Sequence, residues 1–247
     1  MQVVNLNVNV PINLGAIKLH QYQKYLKILR GVEKDSEKDD SVSKENNDFL
    51  NQKALEIFCG LTLKESYGLP VSTFDAVLKQ LAICFEENTP RVDRFKMIDP
   101  TGKEIEFGLV PNFSKISFGE YVDAESYIVD WDNMHKAMAV LYRPVTFSKK
   151  GTYLIEDYKG TERWAEVMRD MPLSVAMGAV VFFYRLGNKL SKITMNSLLS
   201  QLVTEEPDST LAPLLEKNGD GTSLYMALQE EMYQGLMRLP KFHYTNV

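Results

Sequence analysis

A chain of 247 residues that is 45% hydrophobic and 25% charged can bury a sizeable core without disulfides or metals. Its net charge of −5, with Lys and Arg scattered along the chain, excludes the basic stripe by which nucleic-acid binders neutralise phosphates. The only two cysteines, Cys59 and Cys84, sit in apolar helical surroundings without disulfide or metal-ligand spacing, which fits synthesis in a reducing cytoplasm.

The opening residues MQVVNLNVNVPINLG lack a basic region, an apolar run and a cleavage site, so no signal peptide is expected. From Gln2 to Val10 the pattern has period two. Val4, Leu6, Val8 and Val10 lie on one face and Asn5, Asn7 and Asn9 on the other, which predicts a strand. Pro11 and Gly15 break it before any hairpin partner appears. Such a strand pairs either with a distant strand of the same chain or with an edge in a neighbouring subunit.

Helical spacing follows over Leu19 to Leu29, with Tyr22, Tyr25, Leu26 and Leu29 on one stripe and Gly31 placed as a C-cap. The acidic stretch 32–47 has almost no apolar residues and reads as a mobile loop or insertion, or as a site that orders on binding. Helices resume near Phe49, where Ala54, Ile57, Phe58 and Leu61 keep helical spacing. Ser72 and Asp75 suggest a capping box ahead of Phe74, Val77, Leu78, Leu81 and Phe85, the cleanest amphipathic helix in the chain.

Asp99-Pro100-Thr101-Gly102 suits a type I turn, so the flanking RVDRFKMI and KEIEFGLV form a first hairpin. Ser117 and Glu120 make a capping box for a short helix toward Tyr127. Asp130 caps the next helix, on which Trp131, Met134, Met138 and Leu141 share a face before Arg143-Pro144 stops it. A second hairpin turns at Lys149-Lys150-Gly151. Thr161 caps a helix to about Arg169, and Pro172 opens an apolar helix to Leu186. That run falls short of the ~20 residues that span a bilayer, so a central core helix is expected and no membrane contact. Helices over Leu190 to Leu202 and Leu224 to Leu236 complete the chain. The fold class is therefore α+β and predominantly α-helical: a helical core with two β-hairpins and an N-terminal strand. A main domain over 1–204 precedes a helical extension over 205–247, divided at the polar break around Glu205 and Pro207.

No arrangement of residues suggests catalysis. Asp132 and His135 are three apart on a helix, a spacing that metal ligands use. No second pair accompanies them, and an acid in the first helical turn is explained by the helix dipole, with His135 half-exposed beside the apolar stripe. Cys59 and Cys84 fall late in their helices, the wrong end to stabilise a thiolate. Glu104 and Glu106 face Arg94 and Lys96 across the first hairpin as charge pairs. Asn218 to Gly221 lacks the alternating oxygens of a calcium loop. Hydrolase, dinucleotide and phosphate-loop signatures do not occur. No cofactor or metal is expected, and no enzyme. The helical methionines (Met134, Met138, Met226, Met232, Met237) suit a core, or an adaptable interface.

The phrases ISFGEYVDAESYI, WDNMHKAMAVLYRPV, YLIEDYKGT and MPLSVAMGAVVFFYRLGN, with INLGAIKLHQYQKYLKIL near the start, cover about two-thirds of the chain. They resemble proteins encoded among the virion genes of tailed bacteriophages, closest to the crAss-like phages of Bacteroidota and their short-tailed relatives. The resemblance implies a virion protein of the portal–tail region, made in the host cytoplasm. It would be a ring or connector subunit that contacts copies of itself and other portal or tail proteins. A tail assembly chaperone that leaves no trace in the particle is the alternative, and an enzyme or host-directed regulator a third class. For a ring subunit the expected contact elements are the N-terminal strand (Val4, Leu6, Val8) and the hairpin tips (Pro100, Gly102; Lys150, Gly151).

Overall fold

Helix boundaries follow from caps and apolar spacing. The computed structural model describes residues 8–36, 43–113, 116–184 and 242, with the backbone alone over 34–36 and 43–45. After a 3-10 turn at Leu14–Ala16 come α1 (Leu19–Ser36), α2 (Ser43–Cys59), α3 (Leu63–Tyr67) and α4 (Val71–Phe85). Thr62 and Glu65 close a reciprocal capping box on α3, each satisfying an amide that the first helical turn leaves unpaired. The hairpin β1 (Arg94–Ile98) and β2 (Glu104–Leu109) follows, then α5 (Phe118–Ile128), a 3-10 turn at Trp131–Asn133 and α6 (Met134–Leu141). The hairpin β3 (Tyr142–Lys149) and β4 (Thr152–Ile155), α7 (Ala165–Met168) and a helix over 173–184 (α8) complete the described chain. This is a predominantly helical α+β fold. Among the described residues no helix is long and apolar enough to cross a membrane.

The apolar stripes named from sequence meet in one core. Tyr22 of α1 packs edge-on against Trp131 at 4.8 Å, and Phe85 of α4 lies 5.5 Å from Phe58 of α2. Phe242 joins this cluster, 5.6 Å from Phe85 and 6.0 Å from Tyr25. The start of α1 is tied across the chain by backbone bonds from Leu19 to Met171 and from Leu173 to Ile17, which dock α8 beside it.

The four strands run β1-β2-β3-β4, all antiparallel. In the first turn the Gly102 amide donates to the Asp99 carbonyl at 2.9 Å, as the predicted type I turn requires. The second turn, Lys150-Gly151, holds both residues at positive φ, the primed geometry whose twist matches the strands. β2 and β3 pair only over Phe107–Leu109 and Tyr142–Pro144. Pro144 has no N–H to extend that ladder, and the backbone pairing of β2 with β3 ends there.

Several expectations change. Helix α1 runs through Gly31 to Ser36 and α2 begins at Ser43, so most of the acidic stretch 32–47 is helical; Glu and Lys are good helix formers even where they bury nothing. Helix α4 starts one residue before Ser72, with Pro70 at its N-cap, and Asp75 is buried rather than capping. Thr161 begins a turn rather than a helix, and α7 starts only at Ala165, ending at about Arg169 as expected. His135 is 3% exposed, not half-exposed: α6 is enclosed on nearly every face, so its stripe is not its only buried side. Val8 to Val10, the described part of the expected N-terminal strand, belong to no strand. The boundary at Glu205 and the helices Leu190 to Leu202 and Leu224 to Leu236 lie outside the described residues.

Candidate functional site

Three polar or concave features are built into this fold. The first is a buried ion pair. The α5 capping box fixes Glu120, whose carboxylate accepts from the Ser117 amide at 2.7 Å and from Arg143 Nη2 of β3 at 2.7 Å. Burial opposes ionisation of Glu120, but Ser117 and the Arg143 guanidinium together hold its carboxyl below the usual range. The Tyr158 ring lies 5.7 Å from that guanidinium, and its hydroxyl donates to Asp123 at 2.5 Å. With its charges compensated in place, this pair clamps α5 onto the sheet.

The second feature surrounds His135. Gln23 of α1 donates from its side-chain amide to the Trp131 carbonyl at 2.6 Å and lies 3.2 Å from His135 Nδ1. Burial and then the nearby Arg169 charge lower the His135 pKa, favouring the neutral ring. Asp132, its sequence neighbour in the metal pattern, instead pairs with Arg30 at 3.2 Å. Among the described residues no three His, Cys, Asp or Glu side chains are grouped to hold a metal. Burial pushes the Cys59 thiol up to about 12 and raises that of Cys84, so neither is a thiolate at neutral pH.

The third feature is a cleft of about 710 Å³ beside β4. Its construction begins with Gly178 on α8, where a Cβ would come within 2.5 Å of the Pro90 carbonyl. That close approach lays the segment before β1 along α8. One helical turn further, Phe182 meets the Arg91 guanidinium at 4.7 Å and Phe113 at 5.2 Å. Arg91 also pairs with Asp93 at 2.8 Å, so the two charges cancel within the cleft. The opposite wall is the turn residue Gly151 with Thr152, Tyr153 and Leu154 of β4. Gly108 of β2 leaves room for the Tyr153 ring, whose carbons would lie 2.5 Å from an added Cβ, and the Tyr153 hydroxyl donates to the Leu109 carbonyl at 2.7 Å. Burial and the Asp93 charge raise the Tyr153 pKa, so it remains a neutral phenol. Neither histidine nor cysteine is among the described residues that line the cleft. The lining sets the apolar Leu109, Val110, Phe113, Leu154 and Phe182 beside the Arg91–Asp93 pair and the Tyr153 phenol.

The residues expected to make contacts do not converge. Val4 and Leu6 lie outside the described residues, and Val8 is half-buried against the core. Pro100 and Gly102 are exposed on the β1–β2 turn, Lys150 and Gly151 on the β3–β4 turn, and of these only Gly151 borders the cleft. Arg91, Phe113 and Phe182 were not singled out from sequence. They are far apart in the chain, and no local spacing marks them; the packing of α8 on Pro90 brings them together. Comparison with protein-family models, with curated proteins and with solved structures finds no match.

Proposed function

We propose that this chain is a virion structural protein of a tailed bacteriophage. In this reading it is a ring or connector subunit of the portal–tail assembly, acting through contacts with its own copies and with other portal or tail proteins rather than by catalysis. The likeness of its central phrases to phage virion proteins motivates the reading. The observation that carries it is the sheet's free end. There Phe147 and Leu154, directly paired across β3 and β4, are 52% and 60% exposed, and Leu154 borders the cleft. Large apolar side chains paired at the outer end of a sheet are a liability for a solitary protein and an asset for one that another chain covers.

Mass spectrometry of purified particles tests the proposal. A ring subunit appears in them at fixed stoichiometry with the portal protein. Presence in infected-cell lysate but absence from particles would replace it with the tail assembly chaperone, for which the acidic net charge is the supporting feature. Substrate turnover by the purified chain would overturn both.

A further inference from the structure

We infer that the outer edge of β4, with its cleft, receives residues 2–7 of a second copy of this chain as an added strand; the inference rests on the subunit reading above. β4 is the last strand of the sheet. Its two-residue turn makes Lys149 and Thr152 the closing, hydrogen-bonded pair. Antiparallel alternation then directs the Tyr153 N–H and C=O away from β3. Neither group has a backbone partner on that side among the described residues. A neighbouring strand satisfies both, and an open edge is where one adds.

The occupant is argued from length, pattern and charge. Six residues from Gln2 to Asn7 extend roughly 20 Å at ~3.3 Å per residue, enough to cover the four residues of β4. Val4 and Leu6 fall on one face, suited to the apolar wall of Phe113, Phe182 and Leu154, while Asn5 and Asn7 face water. The segment carries no charged side chain, and the cleft's own charges, Arg91 and Asp93, are already paired. Val8 and Val10 pack against the chain's own core, and the Pro11 carbonyl accepts from the Cys84 thiol, so the arm has a fixed root at residue 8. An arm given to one neighbour and an edge offered to the other is a heterologous contact, which repeats around a ring.

The experiment compares the full chain, a variant lacking residues 1–7, and Leu154→Lys by light scattering across a concentration series. Circular dichroism and thermal melting serve as controls for folding. The full chain is expected to associate, and both variants to stay monomeric with unchanged melting. A peptide of residues 1–10 should bind the shortened variant. N-methylation of one alternate set of its amides should weaken binding about tenfold, because the bond to the Tyr153 carbonyl is lost and the methyl group holds the strand off the edge, while the other set is tolerated. If the shortened variant does not fold, the same peptide added to the full chain must dissociate it.

Association that survives loss of residues 1–7 overturns the inference and leaves the subunit reading standing. A monomeric full chain whose peptide site is already filled places the arm on its own edge and overturns the second-copy assignment. Absence from particles removes the subunit reading itself, whatever the peptide does.

Discussion

The aromatic nest between α1, α2 and α4 and the outer face of the sheet treat large apolar side chains in opposite ways. Across α1, α2 and α4, Tyr22, Tyr25, Phe58 and Phe85 are at most 5% exposed, and Phe242 is added from far along the chain. On the outer sheet, Ile98, Phe147 and Leu154 are each more than half exposed. The first group meets its partners within one chain and is fixed by them. The second has backbone order from its ladders and little side-chain cover, so folding alone leaves its apolar surface unused. Residue types do not separate the two groups, since phenylalanine occurs in both; position in the packing does.

The comparison breaks first at Phe85, which touches Tyr22, Phe58 and Phe242. Phe85→Ala should cost about 3–5 kcal/mol, read as a shift in the urea midpoint, because the cavity is walled by helices that cannot close over it. A loss below about 1 kcal/mol would mean that the cluster is loose. Next comes Arg143→Ala, which strands the Glu120 carboxylate at a side-chain exposure of 10%. About 3 kcal/mol should be lost. The double variant Arg143→Met with Glu120→Gln should recover much of it, a result that separates charge compensation from packing. The smallest effect is expected at Phe147→Ser, within about 0.5 kcal/mol of the parent in the same titration, as at other uncovered positions. A large loss there would show that the outer sheet is covered within the monomer.

Much of the fold was legible in the sequence because its signals are local. The Ser117–Glu120 capping box, the Asp99 to Gly102 turn, the Lys150-Gly151 turn and the stripe through Val77, Leu78, Leu81 and Phe85 all depend on residues a few positions apart. Cross-strand pairing was legible too, with Lys96 and Glu104 at 2.7 Å and Arg94 and Glu106 at 3.7 Å. The helical continuation past Gly31 was not, because the helix preference of Glu and Lys acts there without an apolar stripe to mark it. His135 was misplaced because a stripe rule assumes one buried face, and α6 is surrounded. The cleft was invisible for a different reason. Arg91, Phe113 and Phe182 meet only through the tight seat of Gly178 on Pro90, a contact between segments nearly ninety residues apart.

The seat of Phe242 among Tyr25 and Phe85 bears on how the protein is made. During synthesis the helices that form this aromatic nest emerge early, while the ring that completes it follows only after more than 150 further residues. Until then the nest keeps an unfilled apolar face, and closing so long a loop adds an entropic delay that grows slowly with length. The nascent chain therefore carries this nest with one side uncovered until residue 242 arrives.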